Sequence, residues 1–492
     1  MYAFCCATSH NCWLTRRDAD QMTSIGLLPD DVLLDIFDLH VADKGPATKT
    51  KTKAWQILIH VCRRWRHIVF GSPRRLDLRL FCTANTPAKD MLDIWPAFPI
   101  LVNGHVIERI DEASNLVSDD SDVDNIVAVL KCSDRVCQIM VACTTSQMEK
   151  VSEVMQEPFP ELIDLWLRPW DEMVPVFPDS FLSGFAPRLR SFWLDCIAFP
   201  GLPRLLLSAT GLLTLCLLDI PHSGYVAPDA MVAGLAGLTN LRTLQLRFKS
   251  PQSFPPHESR PPPPPTRFVL PLGDLYFRGV SEYLEDFLAR INAPQLNYME
   301  TSFFNQIDFD TPQLIRFLSR TPSLKTFEKA CITFGGGAVG VKLSTRTPYL
   351  GALDVNILCN EFDWQLSSLA QFCNPSFRPL PTTEDLYIYE YQRSLPDQQD
   401  DFENMEWLQV LQPFNGVKNL YLSKEVSARL TPAMQEMVWG TMLPTLKNIF
   451  LEGFQSSTPI PEGIREFVAE RQLNDNPIVV SCWDRDPEQE TF

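Results

Sequence analysis

The fold of this chain turns on how one stretch is read, ITFGGGAVGVKL at Ile332–Leu343. It holds G-x-G-x-x-G at Gly335, Gly337 and Gly340 after an apolar run, and Asp354 follows where a ribose-binding acid would sit. A dinucleotide loop needs a strand, the glycine turn, and then a helix whose first amides meet the pyrophosphate. Here Gly340 is followed by VKLSTRTPYLGALDV, rich in β-branched residues and interrupted by Pro348. That text does not make an amphipathic helix. It fits two short strands joined by a flexible glycine turn, with Asp354 inside a further strand.

The surrounding composition sets limits. The chain has 492 residues, 45% hydrophobic and 21% charged, with a mean hydropathy of -0.06. This gives ample apolar surface for several domains, or for one elongated repeat array with a small module attached. The net charge of -17 and pI near 4.9 repel phosphate backbones and anionic lipid, so neither nucleic acid nor a membrane is expected as principal partner. The longest apolar run, LLLSATGLLTLCLL at Leu205–Leu218, is too short to span a bilayer. The N-terminus carries its charge after the apolar part, unlike a secretory signal, and the cysteines are scattered singly, as reduced buried thiols are. A cytoplasmic or nuclear location follows as the expectation. The one local thiol–imidazole cluster, Cys5, Cys6, His10 and Cys12, has adjacent cysteines that poorly suit a tetrahedral metal site, and no metal is expected there.

Near the N-terminus, GLLPDDVLLDIFDLH (Gly26–His40) places Leu28, Val32, Leu33, Ile36, Phe37 and Leu39 at helical spacing. After the polar connector ADKGPATKTKTK comes AWQILIHVCRRWRHIVFGSP, in which Trp55, Leu58, Cys62, Trp65 and Val69 predict a second amphipathic helix ending before Gly71 and Pro73. Two short helices with wide apolar faces cannot bury all of that surface against each other, and the surplus reads as a partner site.

These residues resemble an F-box: a leading Leu-Pro with acidic residues, an Ile-Phe pair, then Val-Cys-x-x-Trp. The insert between the helices is longer than usual for that family. The resemblance implies docking on a Skp adaptor through Leu28, Pro29, Leu33, Ile36, Phe37, Val61, Cys62, Trp65 and Ile68. Several of these are equally placed to form the module's own core, with Cys62 and Val61 evenly balanced between the two roles.

From Val136 onward, units with apolar residues at positions 1, 4 and 6 recur. They read VCQIMV (Val136), LIDLWL (Leu162), LRSFWL (Leu189), LLTLCL (Leu212), LRTLQL (Leu241), LGDLYF (Leu272), LNYMET (Leu296), LKTFEK (Leu324), LGALDV (Leu350), TEDLYI (Thr383), VKNLYL (Val417) and LKNIFL (Leu446). Three apolar positions recur often by chance in so apolar a chain. The quasi-regular spacing and the preceding contexts APRLRS, TPSLKT, TPYLGA and LPTLKN carry the assignment. The units resemble leucine-rich repeats, with a compact α/β domain as the alternative. The Asn or Cys that usually follows such a strand is not kept, so the repeats are irregular. The C-terminal phrases, among them LPRLLLSATGLLTLCLLDIPHSGYVAPDAMVAGLAGLTNLRTLQLRF, also resemble F-box proteins expanded in mushroom-forming fungi.

The expected fold class is therefore α/β: a small helical F-box module followed by a leucine-rich-repeat-like β/α solenoid, or horseshoe. The expected divisions are an extension over 1–23, the F-box over 24–73, a linking segment over 74–135, the solenoid over 136–455, and a cap and tail over 456–492. The polyproline run SPQSFPPHESRPPPPPTR, the acidic runs VSDDSDVDN and PDQQDDFENMEW, and the tail SCWDRDPEQETF read as loops or ends.

No catalytic motif appears, and no cofactor is expected. The resemblance implies a substrate-recruiting subunit of a Skp–cullin–F-box ubiquitin ligase that binds the Skp adaptor, through it cullin, and a protein substrate. Substrate contacts are expected at outward positions of the repeats, at Arg190, Asn240, Arg242, Gln245, Lys325, Lys418 and Asn419. Two alternatives remain: a non-degradative Skp-binding scaffold, and a nucleotide-dependent oxidoreductase built on the glycine loop 335–340.

Overall fold

The computed structural model describes residues 25–42, 49–85, 87–105, 109–110, 116–117, 120–253, 266–304, 311–346, 351–373, 380–391, 403–436, 442–453 and 460–484. Cys5, Cys6, His10, Cys12 and most of the polyproline run lie outside them. The chain divides into two compact units, residues 1–81 with 95–101 and residues 82–94 with 102–492. The segment expected as a linker over 74–135 is thus shared between the two.

The first unit is built on α1 (Asp30–Ala42), α2 (Lys49–Val61) and α3 (Arg63–Gly71). Asp30 and Asp31 open α1, where the helix dipole favours negative charge. Leu33, Phe37 and Val41, spaced by four, are its buried stripe. The single helix expected from Ala54 through Val69 is broken at Cys62. That residue is extended (φ -158°), and its sulfur accepts the Trp65 N–H at 3.5 Å, capping α3. The expected polar connector is itself partly helical, because α2 starts at Lys49. Trp55 anchors the core. It is 1% exposed, sets its edge against Trp95 and Phe98 at 5.4 and 5.8 Å, and donates its indole N–H to the Arg79 carbonyl at 3.3 Å. Arg64 ties α3 to the start of α1 through Asp30 at 2.6 Å and the Leu28 carbonyl at 2.5 Å.

The second feature is a mostly parallel sheet of sixteen strands. In chain order these are β1 (Leu80–Thr83), β2 (Ile100–His105), β3 (Val136–Cys143), β4 (Asp164–Pro169), β5 (Ser191–Asp195), β6 (Thr214–Ile220), β7 (Thr243–Phe248) and β8 (Asp274–Gly279). They continue as β9 (Tyr298–Phe304), β10 (Lys329–Gly335), β11 (Ala338–Ser344), β12 (Ala352–Leu358), β13 (Asp385–Tyr391), β14 (Asn419–Leu422), β15 (Asn448–Glu452) and β16 (Val479–Trp483). Neighbours in the sheet are neighbours in sequence, except that the order runs β9-β12-β11-β10-β13 in the middle. β1 and β2 contain the residues at which the two units meet in sequence.

Eleven of the twelve sequence units lie on strands, and in all but the first the strand begins at the third residue. The apolar fourth and sixth positions are buried, as Leu165 and Leu167, Phe192 and Leu194, and Leu244 and Leu246 illustrate. Each such side chain contributes roughly 1.5–3 kcal/mol when fully buried. Helices between the strands pack on that face, for example Ser281–Arg290 against β8 and Phe362–Phe372 against β11 and β12. The third and fifth positions point to the other face and are mostly half-buried.

Register is fixed by a recurring backbone motif. The second-position carbonyl of one unit accepts two successive amides of the next: Ile163 from Arg190 and Ser191, Leu213 from Arg242 and Thr243, Arg242 from Gly273 and Asp274, Lys418 from Lys447 and Asn448. Because the carbonyl and amides recur at fixed positions, the outward side chains line up in rows.

LKTFEK is the exception. Pro322–Leu324 is a single turn of 3-10 helix, and the strand starts later, at Lys329. From there the glycine stretch folds as a hairpin. β10 and β11 are antiparallel with Gly335 opposite Ala338, leaving Gly336 and Gly337 as a two-residue turn. β11 then pairs antiparallel with β12, which returns beside β9. Gly351 permits that return, with φ +73° and an ideal Cβ only 2.0 Å from the Ser323 carbonyl oxygen.

Three loop expectations need correction. Asp120–Leu130, which begins in the first acidic run and continues past it, is a helix burying Val123, Ile126 and Val129. Glu403–Leu411, which begins in the second and continues past it, is a helix whose Trp407 is fully buried. In both, apolar residues at helical spacing outweigh the acidic composition. The tail contributes β16, paired in register with β15.

Candidate interaction surfaces

The helical unit sorts the nine adaptor candidates by exposure. Leu33 and Phe37 are fully enclosed, and Ile68 is 7% exposed, so the unit itself consumes them as core. Leu28 and Trp65 are half-buried, with the Trp65 ring 4.7 Å from Phe37. Pro29, Ile36, Val61 and Cys62 are exposed. Beside them the folded unit leaves bare two apolar stripes: Val32, Ile36 and Leu39 on α1, and Ile57 and Val61 on α2. Leu39, Ile57 and Val61 are 72%, 61% and 55% exposed, unusually high for apolar residues on a helix only a few turns long. Ile57 was missed in the sequence because it falls off the stripe that defines the core face.

The seven substrate candidates on the second unit do not form a cluster. Arg190, Arg242 and Lys418 occupy equivalent second positions, just before β5, β7 and β14, where their backbones serve the register motif. Their side chains are variously engaged: Arg242 donates to Gln295 at 3.1 Å, and Lys418 to Glu384 at 2.6 Å. Glu384 is thereby held below the usual carboxylate range, first by the Lys418 hydrogen bond. Asn240 is an exposed loop residue, and Lys325 sits on the turn before β10, off the strands. Asn419 accepts from Asn448 at 2.7 Å and donates to Asp385 at 2.6 Å, an amide ladder with its polar capacity largely satisfied. Gln245 alone lies in the central outward row.

That row is the feature sequence reading passed over. Strand register aligns Gln245, Tyr276, Glu300, Asp354, Lys342, Cys331, Tyr387, Tyr421, Phe450 and Ser481 across ten strands. At its C-terminal end, Tyr387, Tyr421 and Phe450 stack at 4.2 and 4.5 Å with interplanar angles of 10° and 8°. Trp483 sets its ring against Tyr421 at 5.7 Å and Tyr387 at 6.0 Å. Such ladders arise because neighbouring strands hold like residues about 4.8 Å apart, close to ring-stacking distance.

At its centre two carboxylates face each other across β9 and β12, Glu300 and Asp354. Burial pushes the Asp354 carboxyl up to about 6, and Glu300 adds to the rise, while Lys342 and the amide of Asn356 at 3.0 Å pull against it. Glu300 is paired with Arg247 at 3.3 Å, and Arg247 lies over the Tyr276 ring. Burial likewise raises the phenol of Tyr298, which donates toward Glu300 at 3.4 Å. The signal for this row was present in the sequence: a tyrosine or phenylalanine at the fifth position of TEDLYI, VKNLYL and LKNIFL.

The glycine loop offers no cradle for a pyrophosphate, since β11, not a helix, follows the turn. Gly340 serves packing instead. A Cβ there would lie 2.7 Å from Asn356 Oδ1 and 2.8 Å from Thr333 Oγ1 on the flanking strands. Among the described residues no group of three His, Cys, Asp or Glu could hold a metal ion, and no helix is long and apolar enough to cross a membrane. No family model matches the chain, and a search of curated proteins finds no match.

Proposed function

We propose that the chain is the substrate-recruiting F-box subunit of a Skp–cullin–F-box ubiquitin ligase. Its helical unit docks on the Skp adaptor, and its strand-and-helix repeats act as a solenoid receptor for a protein substrate. The observation that carries this reading is the pair of bare apolar stripes on α1 and α2, on the segment whose residues resemble an F-box. A small unit with its own core already formed has no internal use for them, and burial against a complementary helical surface removes them from water. The docking contacts accordingly fall to Val32, Ile36, Leu39, Ile57 and Val61, flanked by Pro29, Cys62 and the half-buried Leu28 and Trp65. Leu33, Phe37 and Ile68 support them from beneath. Ubiquitin transfer is left to other subunits, and the chain supplies proximity, raising the substrate's effective concentration near the conjugating enzyme.

The test is an affinity pull-down of the full chain with a fungal Skp adaptor. An Ile36→Asp, Val61→Asp variant runs alongside, with circular dichroism as the check of folding. Retention of the parent and loss of a folded variant supports the assignment. Failure of the folded parent to bind refutes it.

A further inference from the structure

The central outward row is chemically divided, and the division specifies what fits it. One end presents Glu300 and Asp354 in register on adjacent strands, with the Asp354 carboxyl pushed up chiefly by burial and further by Glu300. The other end presents the half-buried ladder of Tyr387, Tyr421 and Phe450, closed by Trp483. Between them the row passes through the hairpin strands, where it carries Lys342 and Cys331.

We propose that this row binds an extended peptide segment of a protein partner, with a basic side chain seated between Glu300 and Asp354 and an apolar or aromatic side chain on the Tyr387–Tyr421–Phe450 ladder. The proposal rests on the reading that the repeat unit is a receptor. The charge argument starts from the cations already present: Arg247 holds Glu300 at 3.3 Å and Lys342 stands opposite Asp354, yet burial still lifts the Asp354 carboxyl, so an incoming guanidinium or ammonium adds compensation to the facing pair in a half-buried setting where a charge-assisted hydrogen bond is strong. The chain as a whole, at -17, favours approach of a basic segment. Geometry sets the spacing. Four strand steps separate β12 from β14, so Asp354 and Tyr421 lie about 19 Å apart along the row at about 4.8 Å per step. An extended chain advancing about 3.3 Å per residue covers that in roughly six residues. The partner's signature is therefore an Arg or Lys with an apolar or aromatic residue roughly six positions away.

The experiment selects a phage-displayed library of random dodecapeptides against the immobilised full chain, then repeats the selection on two variants. Glu300→Gln, Asp354→Asn keeps shape and removes both charges; Tyr421→Leu breaks the ladder while keeping an apolar side chain in its place. The expected result from the parent is enrichment of the basic-to-apolar spacing. The first variant loses the basic requirement and the second the aromatic preference. A parent-selected peptide, measured by fluorescence polarisation, weakens on the order of tenfold on each variant. Absence of any enriched peptide overturns the proposal, as does enrichment of acidic peptides. Peptides that bind both variants unchanged also overturn it, although they leave a receptor elsewhere on the repeats. The adaptor pull-down reports on the helical unit alone, so its failure is separable from any of these outcomes.

Discussion

Replacing Asp354 with asparagine gives the most direct quantitative check on the electrostatics of the outward row. Asp354 stands on β12 between Glu300 on β9 and Lys342 on β11, with Asn356 two residues along its own strand. Its carboxyl is raised from 3.8 to about 6, chiefly by burial. A folded-state value above the unfolded one means the folded protein holds the proton more tightly. The resulting stability is fully present below about pH 4 and is lost as pH rises through 6. A rise of that size corresponds to about 3 kcal/mol of strain carried by the ionised form above pH 7, an upper figure for a group that keeps some solvent contact. Asparagine imitates the neutral form and still accepts from Asn356. Unfolding entropy near 2 cal/mol/K per residue, over a unit of about 400 residues, converts about 2–3 kcal/mol into a melting shift of about 2.5–4 °C. The assay is a thermal melt of parent and Asp354→Asn at pH 4 and pH 7.5. The expected result is a variant that melts about 2.5–4 °C higher at pH 7.5 with that advantage gone at pH 4. An equal shift at both pH values, or a less stable variant at pH 7.5, refutes the reasoning.

Further predictions concern neighbouring residues and the two units. Glu300→Gln removes the like charge facing Asp354, so the pH window over which the parent loses stability should move down, read from the same melts. Leu33→Ala opens a cavity in the core of the helical unit and should destabilise it by about 2–5 kcal/mol in urea unfolding, whereas Val61→Asp should leave folding within about 0.5 kcal/mol and abolish adaptor capture. Gly453 and Gly351 both have positive φ, but a Cβ at Gly453 meets nothing within 4 Å, whereas at Gly351 it meets a carbonyl oxygen. Gly453→Ala should cost about 1–2 kcal/mol, and Gly351→Ala at least about 3 kcal/mol because the backbone itself must move; comparable losses in thermal melts of the two would contradict the close approach.

Much of this protein is determined locally and was legible for that reason. Burial at positions 4 and 6 is a consequence of strand alternation, so LRSFWL or LRTLQL announces its inward face without any knowledge of neighbours. The glycine stretch was also decided locally, because β-branched residues and Pro348 after Gly340 forbid the helix a nucleotide loop requires. Leu33 and Ile36, by contrast, carry the same helical signature in sequence. Only packing of α1 against the rest of the unit made one core and the other surface. The break at Cys62 depended on a single amide finding a sulfur, which periodicity does not register. The central row could not be read at all from any one unit. Tyr387, Tyr421 and Phe450 stand about thirty residues apart in sequence, and Glu300 and Asp354 more than fifty. It took pairing of β9 with β12, across the inserted hairpin, to set two carboxylates face to face. Side-chain type is a property of the sequence, but adjacency between strands is a property of register, and register exists only once the sheet has formed.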